Sequence, residues 1–113
     1  MIDARGSREP GLSIDEAAGV VLLEQVVVLG NALAPTVRSS GSRALAFQAG
    51  AIEGSRGLAL EQGSRCTASE LALESITVAG GSWLETRAMK TSARVEPGST
   101  WLERRETARL EPR

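Results

Sequence analysis

Five times between residues 45 and 113 the chain spells apolar, any residue, apolar, then two residues and a turn. The copies are LAFQAG at 45–50, LALEQGS at 58–64, ITVAGGS at 76–82, ARVEPGS at 93–99 and ARLEPR at 108–113. Apolar residues two apart occupy one face of a strand, so each copy reads as a short strand with one side to bury. In four copies a glycine follows (Gly50, Gly63, Gly81, Gly98), which ends a strand with a tight corner at little steric cost. Pro97 suits the position before such a glycine in a type II turn. A strand too short to bury its own face is stable only when neighbouring copies stack on it.

The predicted fold is therefore mainly β: a short β-solenoid or a meander of hairpins over about residues 44–113, with the apolar segment 13–37 as an N-terminal helix or strand that covers one end. Together these make one small domain over 13–113, preceded by a flexible terminus at 1–12, where MIDARGSREPGL shows no periodicity. The second apolar positions of the copies (Phe47, Leu60, Val78, Val95, Leu110) are 13, 18, 17 and 15 residues apart, and this unevenness keeps the meander alive. Residues after the corner echo as well, as Trp83-Leu84-Glu85 and Trp101-Leu102-Glu103, so the two tryptophans are expected to stack. The alternative is a small helical domain or a largely disordered chain. Thr67 with Glu70, Ser82 with Glu85 and Thr100 with Glu103 have capping-box spacing, but apolar residues in 83–95 and 101–110 make only a broken helical stripe.

Residues 20–34, VVLLEQVVVLGNALA, form the most apolar stretch. Ser13 with Glu16 marks a helix start near Ile14, whereas the valines at 20, 21, 26, 27 and 28 favour an extended end, so a helix followed by a strand is expected. As a membrane span the stretch carries Glu24 and Gln25 near its middle. As a secretion signal it has Arg5 and Arg8 ahead and Ala32 and Ala34 in a small-residue pattern, against Asp15 and Glu16 at its border. A buried element packed on the first repeat fits best.

Composition narrows the chemistry. Thirteen basic and fourteen acidic residues give a formal charge of −1 with no long run of one sign, which disfavours nucleic acid as a partner. GSRGLAL at 54–60 contains the GxxG spacing of RNA-binding KH loops, but the flanking Glu53 and Glu61 and the alternating LAL read as a repeat corner. With no histidine and one cysteine, neither an internal disulfide nor a His- or multi-Cys metal site can be built, and hydroxyl nucleophiles lack the usual base. Cys66 beside Arg65 reads as a small half-buried thiol, with a lowered pKa as the reactive alternative. No cofactor is implied and no catalytic set is visible. The glutamates, including Glu61, Glu96 and Glu111 beside apolar strand positions, read as solvated.

The residues suited to an interaction surface are Trp83, Trp101, Arg104 and Arg105: indoles that serve as core or platform, and two guanidiniums able to grip an anionic or aromatic partner. The expected function is a non-enzymatic structural or protein-interaction module, associating with itself or a protein partner through a strand edge. The alternative is a small secreted or membrane-attached protein in which residues 17–37 are the targeting element.

Overall fold

The computed structural model describes residues 1–89 and 91–104. It is a β-solenoid of about four turns, with no helix among the described residues. In chain order the strands are β1 (Ile2–Asp3), β2 (Leu12–Asp15), β3 (Val20–Leu29), β4 (Val37–Ser40), β5 (Ala44–Glu53), β6 (Leu58–Glu61), β7 (Arg65–Ser69), β8 (Ala72–Leu73), β9 (Ser75–Val78), β10 (Trp83–Arg87), β11 (Ser92–Val95) and β12 (Thr100–Arg104). Every pairing among the described residues is parallel. That excludes the hairpin meander, whose neighbours would run antiparallel. The body is elongated, 52 × 28 × 26 Å.

Three faces wind around the core. The first holds the first half of β3, the first half of β5, then β7, β10 and β12, and the third holds β2, β4, β6, β9 and β11. Between them β3 and β5 bend at Gln25 and Ala49, which have φ of 53° and 60° and drop out of the ladder between Glu24–Gln48 and Val26–Gly50. The second halves of these strands, with β1 and β8, make the second face. One sheet thus wraps two sides.

The coils shrink along the chain. Register offsets on the first face are 24, 21, 18 and 17 residues, from Val20–Ala44, Leu45–Cys66, Arg65–Trp83 and Trp83–Thr100. The second face ends at β8, and in the next coil Ala88 and Met89 stand in its place. Inward columns fill the interior: Leu45, Cys66 and Leu84 from the first face, Val28 and Ile52 from the second, and Val37, Leu58 and Ile76 from the third, all under 3% exposed.

The third-face corners carry a serine ladder. Ser42, Ser64 and Ser82 are fully or almost fully buried, and the hydroxyl of Ser64 accepts from the Ser42 N–H (3.2 Å) while that of Ser82 accepts from the Ser64 N–H (3.1 Å). The ladder continues where the Ser99 hydroxyl accepts from the Gly81 N–H at 3.1 Å. The Ser64 hydroxyl also donates to the Glu61 carbonyl at 2.8 Å, so it meets its own need for a partner while satisfying the Ser42 amide, whereas the buried Ser42 hydroxyl at the ladder's start has no partner among the described residues.

Several expectations are corrected by this geometry. The helix near Ile14 does not form, and neither does the helical domain: Leu12–Asp15 is β2, and Glu16 turns the corner at φ 51° with its N–H on the Ser40 carbonyl (2.7 Å). β2 instead seats Leu12 and Ile14 on the core by period-two alternation, in parallel pairing with β4. The repeating winding reaches back to residue 12, beyond the segment 44–113. Within residues 1–12, β1 pairs with Val28–Leu29, and the Asn31 side-chain amide donates to the Ala4 and Glu9 carbonyls, each at 3.0 Å. Val20–Leu29 is a strand throughout, its first half outermost on the first face among the described residues, and no helix among them is long and apolar enough to cross a membrane.

LAFQAG lies on the first face, whereas LAL, ITV and ARV lie on the third. The spacing of 13 therefore compares different faces, and the column through Leu60, Val78 and Val95 begins with Ile14 and Ser39. The copy at 108–113 falls outside the described residues.

Candidate interaction surface

Alternation along a strand sends every second side chain outward, so the sequence of each first-face strand fixes what this surface shows. Val20 and Leu22 of β3 are exposed, 79% and 52%. The middle strands contribute small residues, Ala44 and Ala46 from β5 and Thr67 from β7, before β10 raises the surface again with Trp83, Glu85 and Arg87. Two shallow depressions result. One of about 200 Å³ lies among Val20, Ala44, Arg65 and Trp83, and one of about 350 Å³ among Leu22, Gln48, Thr67 and Arg87.

Polar groups lock the far side of this surface. The Arg65 guanidinium lies over the Trp83 ring, 5.1 Å from its centroid. Glu85 Oε2 accepts from Arg87 Nε and Arg104 Nε, both at 2.8 Å. Arg87, with Arg104 beside it, holds the Glu85 carboxyl below its ordinary pKa against the opposing effect of burial. Two cations on one carboxylate leave net positive charge at the end of β12.

The expected residues divide by one step of register. Trp83 pairs with Thr100 and Leu84 with Trp101, so Trp83 points outward and Trp101 inward, and the two do not stack. The echo WLE is displaced because an extra residue, Thr100, follows Ser99 where Trp83 follows Ser82 directly. A one-residue shift inverts a strand's faces. Trp101 packs against the core and its Nε1–H donates to Thr86 Oγ1 at 3.1 Å. Arg104 reaches the outer surface with Trp83, and Arg105 lies outside the described residues.

Cys66 is 1% exposed, and burial pushes its thiol up to about 12, which corrects both the half-buried and the reactive expectation. Arg65 cannot activate it, because successive side chains leave opposite sides of the strand and Arg65 sits on Trp83. GSRG at 54–57 is the corner between β5 and β6, closed by the Gly57 N–H on the Gly54 carbonyl at 3.1 Å. Glu61 holds Arg38 at 3.0 Å, Glu96 is exposed, and Glu111 is outside the described residues.

Sequence patterning missed the edge beside this surface. β1 pairs with the second half of β3 only, so among the described residues Val20–Glu24 has a strand on one side, β5, and none on the other. Val21 and Leu23, which face inward, are left half-buried there. The absence of Pro and of charge before Glu24 was the available signal.

These features define a small parallel β-solenoid whose first face is shallow, apolar at one margin, and open along one strand. No protein-family model, curated protein or solved structure matches the chain.

Proposed function

We propose that the chain is a non-enzymatic interaction module that takes on a protein partner by strand addition at the Val20–Glu24 edge of β3. The observation that carries this is the undefended character of that edge. Exposed strand edges are normally blunted by charge, proline or a bulge, because their free amides and carbonyls template pairing. Val20, Val21, Leu22 and Leu23 carry none of these devices. The neighbouring edge strand β1 differs: it is two residues long and ends in Asp3, whose carboxylate is bound by Arg5 at 2.8 Å. Enclosure of residues 20–29 and 37–40 within the coils supports a structural role for 17–37 over a targeting one.

Amide hydrogen exchange tests the edge directly. Residues 20–24 are expected to exchange faster in dilute solution than the interior strand β5, and to gain protection as the protein is concentrated. Exchange at 20–24 that is already slow when dilute and does not change with concentration would overturn the proposal.

A further inference from the structure

The two ends of the solenoid are complementary steps. At the start of the chain the third face stands one strand beyond the first, because β2 lies outside β4 while nothing among the described residues lies outside the first half of β3. At the far end the order is reversed among the described residues: β12 extends the first face one strand beyond β10, while the last third-face strand is β11.

We propose that copies of this chain stack head to tail, β12 of one copy pairing in parallel with β3 of the next and β11 with β2. This deepens the strand-addition proposal and rests on it, naming a second copy as the partner. On the first and third faces each step fills the other and the joint repeats the pairing used within the chain, while on the second face β1 of the next copy meets a coil that has no strand there. In continuous register Trp101 lies over Val21 and Val95 over Ile14, so inward side chains left half-covered or exposed at both ends close over each other. Outside, Leu102 (40% exposed) meets Leu22 (52% exposed). Arg104 comes beside Glu24, which balances the surplus positive charge of the Arg87–Glu85–Arg104 group.

Two starting ends set first face on first face do not bring their β3 edges together. Neighbouring strands lie about 4.8 Å apart, and the layer of β1 and β2 on each copy would hold two β3 edges roughly three spacings from each other. The joint is therefore heterologous and does not close on itself. The 28 × 26 Å cross-section limits it to about 700 Å² per copy, near the lower range of stable interfaces, so assembly is concentration-dependent. Residues 105–113 lie outside the described set, and the joint is built from β11 and β12 alone.

Two outward substitutions and their mixture test this on the full chain. By light scattering the wild type is expected to grow past dimers as it is concentrated, and Leu22→Lys and Leu102→Lys each to associate roughly tenfold or more weakly. An equimolar mixture of the two variants retains one unmodified joint, Leu102 on Leu22, so it is expected to form a 1:1 dimer and stop. A wild type that stops at dimers overturns head-to-tail stacking. Full assembly of Leu102→Lys beside a monomeric Leu22→Lys also overturns it, while leaving strand addition at β3 intact. A mixture that stays monomeric overturns it as well, provided circular dichroism shows both variants folded. If either variant loses its strand signature, Val20→Arg and Thr100→Arg give the same mixing readout, with the same outcomes for and against.

Discussion

The wide coils at the start of the chain and the narrow coils at its end solve the same packing problem with different numbers of sides. Where the register offset is 24, 21 or 18 residues, the second face adds Val28, Ile52 and Leu73 in turn to the interior and three faces enclose the core. Where it is 17, two faces and a connecting segment enclose it, and Met89 occupies the space of the missing side. The difference teaches that the number of sides in this solenoid is set by residues added at corners, while strand pairing on the first and third faces continues unchanged.

The largest expected contrast is between the filled interior and the outermost strand of the third face. Leu58 is fully buried with strands on both sides, so Leu58→Ala is expected to cost about 3 kcal/mol. Val95 is 39% exposed on β11, and Val95→Ala is expected to cost under about 1 kcal/mol. Urea unfolding measures both, and equal costs would break the contrast.

A corner of the wide coils comes next. Gly57 has φ 46°, and a Cβ there would run into the Ser75 backbone carbonyl of the following coil, which cannot swing away. Gly57→Ala is expected to cost about 2 kcal/mol or more by urea unfolding, from backbone strain together with overpacking. A neutral result would mean that this corner does not need its close approach.

Smaller effects of opposite sign are expected where the first face ends. Ala49 in a wide coil and Ala88 in a narrow one have φ of 60° and 54°, a region that a side chain occupies at a cost. Ala49→Gly and Ala88→Gly are each expected to stabilise by up to about 1 kcal/mol, since relief of strain outweighs the added freedom of the unfolded chain. Similar gains at both sites in thermal unfolding would show that this bend is shared by wide and narrow coils; unlike gains would make it specific to one.

The coils from β6 onward were the legible ones. Leu60, Val78 and Val95 keep an apolar residue, a fixed parity and a glycine corner, so the repeat and the β class could be read from them. In the coil before them the equivalent of Leu60 is Ser39, buried and bonded to Ser64 through their hydroxyls at 3.2 Å. Apolar patterning cannot see a core position filled by a hydrogen-bonded serine. The recurrence of Gly-Ser at 41–42, 63–64, 81–82 and 98–99 did mark the corners, and the ladder explains why serine follows glycine there. The candidate surface was partly visible in Trp83 and Arg104. Which side Trp101 takes depended on one added residue at a corner, and sequence similarity around WLE pointed to a stacking of the two indoles that does not occur.

The smallest expected effect belongs to the narrow end alone. Glu85 is 7% exposed and its folded-state pKa is lowered, so its pairing with Arg87 and Arg104 favours the folded state above the unfolded carboxylate pKa. That contribution falls as pH drops through the depressed folded value, because protonation removes the charge that both guanidiniums bind. The exposed margins of the arginines keep it modest through solvent screening. Glu85→Gln is expected to flatten this part of the acid-side stability curve without altering the unfolding of the wide coils, followed by thermal melts from neutral pH downward. Protection of β10 and β12 amides in hydrogen exchange should fall with acid in the wild type before that of β5, and should respond less to pH in the variant. Identical acid responses in β5 and β12 would instead mean that the solenoid unfolds as one unit, with no separate stability at its narrow end.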